Sequence, residues 1–265
     1  MYKFEYHKPS SLVDSIKLFK ELEFPKYLAG GMTLIPSMKQ KLSSPSDLID
    51  LQNIDELKGI SKLKDDHITV GALSTHNEIA NSSLIKNNIK GLSYLASKIA
   101  DNAVRNCGTI GGSICNADPA ADYPAALLSL EATINTNNRS IAAKDFFIDM
   151  FETKLENYEV VKSITFPIRR KSYYLKLSSQ ASKYAIIGIF ASIVNDKLSI
   201  SITGAANKVF NLEEINNLPL FKARTYNYNK IDLKKMNLNS DIHASSKYRA
   251  SLIKNMLPKL IENIF

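Results

Sequence analysis

Apolar residues recur at helical spacing from the start of the chain. Leu12, Val13, Ile16 and Phe19 fall on one face after Ser10-Ser11, either of which can cap the helix. The run "KYLAGGMTLIPSMKQK" predicts a short strand, a double-glycine turn and a new helix, with Pro36 early enough to be tolerated. Strands are expected at Asp47–Leu51 and at His67–Leu73, where apolar and polar residues alternate. Thr75 and Glu78 have capping-box spacing. Leu92, Leu95, Ala96, Ile99 and Ala103 predict one helix leading into "RNCGTIGGSICNADPAAD". A further helix is expected after it, with Asp118 as cap, Pro119 at its first position and Pro124 as a possible kink.

The period changes later in the chain. Glu159–Phe166 reads as a strand closed by Pro167, and "SYYLKLSSQ", "AIIGIFASIV" and "KLSISITGAA" read as a small antiparallel sheet. Ser246–Ile264 gathers Tyr248, Leu252, Ile253, Met256, Leu257, Leu260 and Ile261 on one helical face, with a bend expected near Pro258. The change falls at "PIRRK", Pro167–Lys171. The expected domains are therefore 1–169 and 170–265.

Composition narrows the function classes. The 265 residues are 45% hydrophobic and 23% charged, an ordinary globular balance. No apolar run approaches the ~20 residues of a membrane span, and the N-terminus has no signal-peptide core; a cytoplasmic location is expected. The net charge of +8 comes from scattered lysines, which favours a solvated surface over nucleic-acid binding. Cys107 and Cys115 are too few for a disulfide framework, a zinc site or an iron–sulfur cluster and are expected to be buried thiols.

Two glycine turns stand out, Gly30-Gly31 and Gly108…Gly111-Gly112. Each follows a regular element and precedes a helix. Glycine permits positive φ and close backbone approach, and exposed N–H groups at such turns bind anionic oxygens. Two such loops, with Thr33, Thr109 and Ser113 beside them, suit a pyrophosphate. Two tight turns of an α/β fold account for them as well. No G-x-x-x-x-G-K-[ST] or G-x-G-x-x-G is present, so neither a P-loop nor a Rossmann site is expected.

"YLAGGMTLIPSMKQKLSSPSDLIDL" followed by "VRNCGTIGGSICNADPAADYPAALLSLEATI", with the later "SDIHASSKYRASL", resembles the FAD-binding medium subunit of the molybdenum hydroxylase family. That family includes the medium chains of carbon monoxide dehydrogenase, aldehyde oxidoreductases and xanthine dehydrogenase. The resemblance implies an α+β fold: a two-part FAD-binding domain of the vanillyl-alcohol-oxidase (PCMH) type, then a small C-terminal domain with an antiparallel sheet and helices. It implies FAD as cofactor. The first loop maps to Ala29, Gly30, Gly31, Met32, Thr33 and Leu34, and the second to Thr109, Ile110, Gly111, Gly112 and Ser113. Asp122 matches a ribityl-binding aspartate, also readable as a first-turn helix acid. Lys176 matches a lysine near the flavin, and His76 is a weaker candidate for the flavin's surroundings. The chain departs from the family pattern at Ser178-Ser179 and Lys183-Tyr184.

The implied function is an oxidoreductase subunit that takes electrons from [2Fe–2S] clusters of a small subunit and passes them to an external acceptor. A molybdenum-cofactor large subunit would complete a dimer of heterotrimers. No catalytic or metal-ligating residue is expected in this chain. The alternatives are a free-standing FAD-dependent oxidoreductase of the same superfamily and a non-enzymatic binding module.

Overall fold

The computed structural model describes residues 1–64, 66–169 and 171–265. Arg170, where the second domain is expected to begin, lies outside the described residues. Among the described residues, three main sheets each organise a hydrophobic cluster.

The first sheet is parallel, with β1 (Glu5–His7), β2 (Pro25–Leu28) and β3 (Asp47–Asp50) in the order β1-β3-β2. Helices α1 (Leu12–Glu21) and α2 (Leu34–Lys39) make the crossovers that parallel pairing requires. Ser11 caps α1 by accepting from the Asp14 N–H. Leu12 is buried, but Val13 is 76% exposed, so the buried stripe is narrower than the sequence pattern suggests.

The second sheet is antiparallel, in the order β4 (Ile60–Lys64), β5 (His67–Gly71), β10 (Val161–Pro167), β6 (Thr133–Thr136), β7 (Ser140–Ala142). Between β5 and β6 the chain inserts the helices that cover it. Ile68, Val70, Ile134, Ile164 and Phe166 pack against them in the largest cluster. The short hairpin β8 (Phe147–Asp149) and β9 (Glu152–Thr153) follows β7.

The third sheet, β11 (Ser172–Ser178), β12 (Ala185–Val194), β13 (Lys197–Thr203) and β14 (Phe210–Asn211), runs in chain order. It is covered on both faces, which explains the nearly continuous burial of β12. Tyr174 and Phe190 join the central cluster, while Ile187, Ile189 and Ala191 pack with Ile253, Leu257 and Leu260 of the C-terminal helix (Ser246–Ile264). That helix continues through Pro258, and Tyr248 on its expected apolar face is 50% exposed.

Two expected helices are redrawn. The one expected through Ile99 and Ala103 is two: α5 (Lys90–Ser97) and α6 (Asn102–Cys107). Ala100 takes a left-handed φ of 41° and Asp101 caps α6 by accepting from the Val104 N–H at 2.9 Å. A competing cap ends one helix and starts the next. The helix expected from Asp118 begins later, as α8 (Tyr123–Ser129) with Asp122 at the N-cap. Asp118 instead accepts the Ala120 N–H at 2.8 Å and closes a turn. This places Pro124 in the first turn of α8, where it removes no helical hydrogen bond.

Candidate FAD site

The two glycine loops meet. The first joins β2 to α2. The second links α6 to α7 (Ile110–Asn116), which lies inside the glycine stretch. A Cβ on Gly30 would stand 2.1 Å from the Cys107 carbonyl oxygen and 2.8 Å from Gly108 Cα, so the loops are packed backbone on backbone. A Cβ on Gly111 would meet the Ala72 carbonyl at 2.7 Å, and one on Gly108 would meet His76 Nε2 at 2.7 Å. These three glycines are therefore required by the chain's own packing. Gly31 is needed for another reason, its φ of 70°. Gly112 is the least crowded of the second-loop glycines and meets side chains rather than backbone. Its nearest neighbours would be Thr109 Oγ1 at 3.0 Å and Ala29 Cβ at 3.7 Å.

Beside the joined loops lies a cleft of about 840 Å³, within the range of small-molecule and cofactor sites. Ala29, Gly30, Gly31, Met32, Thr33 and Leu34 line it from the first loop, and Thr109, Gly111, Gly112 and Ser113 from the second. His76 and Asp122 also line it. Ile110 and Lys176 do not. Ile110 is fully buried in the central cluster, and the Lys176 Nζ is held 2.9 Å from the Asp122 carboxylate and 3.2 Å from the Lys98 carbonyl.

The loops contribute differently. The N–H groups of Gly31, Met32 and Thr33 make no hydrogen bond to another described residue. Those of Gly111 and Gly112 are committed to the Ala72 carbonyl at 2.8 Å and to Thr109 Oγ1 at 3.1 Å. The first loop thus has unspent donors on the cleft, while the second has a close-packed wall and the Ser113 hydroxyl. Thr109 is the cap of α7, and its backbone also pairs with Thr75 of the capping box that opens α3 (His76–Asn81).

Asp122 is the electrostatic centre of the other side. It is an N-cap residue whose side chain makes no capping bond. One carboxylate oxygen accepts the Tyr174 hydroxyl, and Lys176 holds the pair from 2.9 Å. Burial raises the Asp122 pKa, and Lys176 and Tyr174 oppose that rise. Asp122 thus stands at the N-terminus of α8, but its carboxylate is bonded to the third sheet rather than to the helix. His76 is 4% exposed, and its Nδ1 lies 3.1 Å from the Tyr123 hydroxyl. Burial, with Arg105 nearby, lowers its pKa to about 4, so the ring is neutral at pH 7.

Several lining residues are not singled out by the sequence. Ser182, Lys183 and Tyr184 reach the cleft from the turn between β11 and β12. Burial and the Asp118 charge raise the Tyr184 phenol pKa, and the neighbouring Thr33 side chain opposes them. Glu159 lines the cleft near β10 and is fixed by Arg139 at 3.0 Å and Thr136 at 2.7 Å. Their only signal in sequence is the mismatch of Lys183-Tyr184 with the family pattern. The cysteines also depart from expectation: Cys107 and Cys115 are both exposed, and Cys115 lines the cleft. Desolvation still pushes the Cys115 thiol pKa up to about 12, so it stays protonated at pH 7.

The family model for the FAD binding domain in molybdopterin dehydrogenase matches residues 2–169. The chain belongs to this family. Similarity to proteins named as medium chains reaches beyond that stretch. The glyceraldehyde dehydrogenase medium chain of Sulfolobus acidocaldarius is 30% identical, over 99% of this chain and 98% of the relative. The carbon monoxide dehydrogenase medium chain of Hydrogenophaga pseudoflava is 34% identical over 70% of this chain and 67% of the relative. Among solved structures, quinoline 2-oxidoreductase from Pseudomonas putida 86 superposes with a TM-score of 0.90 at 26% identity, covering 99% of this chain and 97% of that one. The chain is thus an FAD-binding oxidoreductase subunit of the molybdenum hydroxylase type, with the α+β fold the sequence implied. No helix among the described residues is long and apolar enough to cross a membrane.

Proposed function

We propose that this chain carries FAD in the cleft beside the joined glycine loops and relays electrons within a molybdenum hydroxylase. The electrons come from [2Fe–2S] clusters of a small subunit and leave to an external acceptor. A molybdenum-cofactor large subunit completes the unit, in a cytoplasmic dimer of heterotrimers. The domains divide at 169/170. The observation that carries this reading is the cleft itself: unspent backbone donors on one loop, a close-packed second loop, and a buried carboxylate that can accept hydroxyl donors, in a chain similar over its length to medium chains.

The residues present fit the cofactor. The Gly31, Met32 and Thr33 amides would hold the pyrophosphate oxygens, as unpaired N–H groups at a turn do. Ser113 would donate beside them. Asp122 would accept from ribityl hydroxyls, and Lys176 would act through Asp122. We assign His76 to support of the second loop, since its ring is spent under Gly108 and against Tyr123. FAD, when bound, exchanges electrons singly or in pairs, which matches one-electron clusters to a two-electron acceptor.

The test is co-expression with the neighbouring large and small subunits, followed by flavin and iron analysis of the purified complex. One flavin per chain, bleached when substrate is added to the complex, is the expected result. A stable complex without flavin, or a flavin that stays oxidised while the iron–sulfur clusters are reduced, would overturn the proposal. Turnover of a small substrate by the chain alone would favour the free-standing oxidoreductase.

A further inference from the structure

The Asp118–Asp122 loop belongs by sequence to the stretch matched by the FAD-domain model, yet it is held from outside that stretch. The Gly204 N–H donates to the Pro119 carbonyl at 2.8 Å, and the Ala185 N–H to the Ala120 carbonyl at 3.2 Å. The Thr203 hydroxyl lies 2.7 Å from the Ala121 carbonyl and 3.0 Å from that of Pro119. It has one proton, which the two acceptors share. Tyr174 and Lys176 then take the Asp122 carboxylate. Each of these donors comes from the third sheet or, for Gly204, from the residue just past β13, and each of the acceptors from Pro119, Ala120, Ala121 or Asp122.

The third sheet is shaped for this task. Tyr174 is fully buried, and Thr203 is 1% exposed. A Cβ on Gly188 would stand 2.5 Å from the Tyr174 hydroxyl and 2.8 Å from Thr203 Cγ2, so the glycine leaves space for both side chains. Gly204 takes a φ of 79° to aim its N–H. Because Tyr174 and Lys176 draw the Asp122 carboxylate away, α8 begins without its side-chain cap. The missing cap is a local concession that fits a carboxylate placed for something other than helix stability.

We infer that Tyr174 and Thr203 are positioning residues for FAD: the C-terminal sheet sets the Asp118–Asp122 loop and fixes the Asp122 carboxylate in place beside the cleft. This rests on the proposed role of Asp122 toward FAD. It makes the second domain a structural part of the cofactor site, although neither side chain lines the cleft.

The test uses the full chain in its co-expressed complex, with FAD as probe. Dissociation constants come from flavin fluorescence, and melting temperatures are taken with flavin removed. Thr203→Val, an isostere without the hydroxyl, is expected to weaken FAD binding ~10-fold, and Thr203→Ser to restore it to within ~2-fold. Tyr174→Phe is expected to weaken FAD binding similarly and to alter the visible spectrum of the flavin that remains. Wild-type affinity in both Thr203→Val and Tyr174→Phe, with or without a lower melting temperature, would overturn the inference and leave the proposed function standing. A wild-type complex that binds no FAD would overturn both.

Discussion

Gly30 and Gly112 are both small residues of a cofactor loop, yet the structure assigns them opposite reasons, and alanine separates these. At Gly30 the added methyl would lie 2.1 Å from a backbone oxygen, about 1.3 Å short of the 3.4 Å at which ordinary contact begins. No side chain can rotate away, since the three nearest atoms all belong to the backbone of Cys107 and Gly108. The loops must part. Overpacking of this kind costs about 1–3 kcal/mol, and the backbone clash puts Gly30→Ala at the upper end. For a chain of this size about 3 kcal/mol corresponds to a fall of roughly 6–12 °C in melting temperature. At Gly112 the methyl would meet only a threonine hydroxyl at 3.0 Å and an alanine methyl at 3.7 Å. Gly112 lies within α7, where alanine is favoured over glycine by about 0.5–1 kcal/mol. The helical gain and the tight contact with the Thr109 cap hydroxyl oppose each other, so Gly112→Ala should melt within about 2–4 °C of wild type without flavin, well above Gly30→Ala, while its methyl in the cleft wall weakens FAD binding. The assay is thermal unfolding of flavin-free protein, paired with FAD titration. Gly30→Ala melting like wild type, or Gly112→Ala losing as much stability as Gly30→Ala, would refute the argument. Gly111→Val is the wrong probe, because its side chain would strike the Ala72 backbone and confound binding with folding.

The remaining predictions concern packing and titration. Arg249 is 3% exposed and donates to the Ile186 and Gly204 carbonyls and to Asp241, each at 2.6 Å. Arg249→Met should cost about 1–3 kcal/mol in urea unfolding by leaving the two buried carbonyls unpaired, and Arg249→Lys should not restore them fully, since one ammonium cannot span the fork; full stability in Arg249→Lys would contradict this. His76 has a folded pKa of about 4, below the ordinary 6.5, so the stability it confers is present above pH 6.5 and is lost as pH falls toward 4. The slope is at most about 1.4 kcal/mol per pH unit, and His76→Gln should flatten it; an unchanged slope would mean the ring protonates freely in the fold. Burial pushes the Glu159 carboxyl up, but Arg139, the Glu156 N–H and Thr136 outweigh it and hold its pKa at about 2. Its contribution is present above about pH 4.5 and lost between there and 2, so Glu159→Gln should lower stability at pH 7 and narrow its gap to wild type at pH 2–3. Val13→Lys should leave the melting temperature within about 1 °C, because the side chain is 76% exposed.

The sequence showed the architecture where local signals and tertiary packing agree. The capping box at Thr75–Glu78 forms both reciprocal bonds, and β2 and β3 fall where the apolar runs place them. It failed where two local signals compete. Asp101 and Asp118 are both followed by helix-compatible residues, but the first captured the Val104 N–H and made a cap, while the second captured the Ala120 N–H and made a turn. The choice depends on what holds the residues downstream. After Asp118 that is the third sheet, more than fifty residues later in the chain. The site shows the same division. The glycine loops are legible because glycine's conformational reach is a property of one residue. Tyr174, Thr203 and Tyr184 are illegible because an apolar-looking strand residue and a cofactor-site support have the same local pattern. Only register distinguishes them: Lys176 pairs with Gly188, and Gly188 with Thr203, and that line across the sheet carries donors from two strands to one loop. In one dimension the site reads as two glycine loops with Asp122, His76 and Lys176 beside them; in three the loops form one side, and Asp122 and Lys176 on the other are held by strand residues whose sequence speaks only of packing.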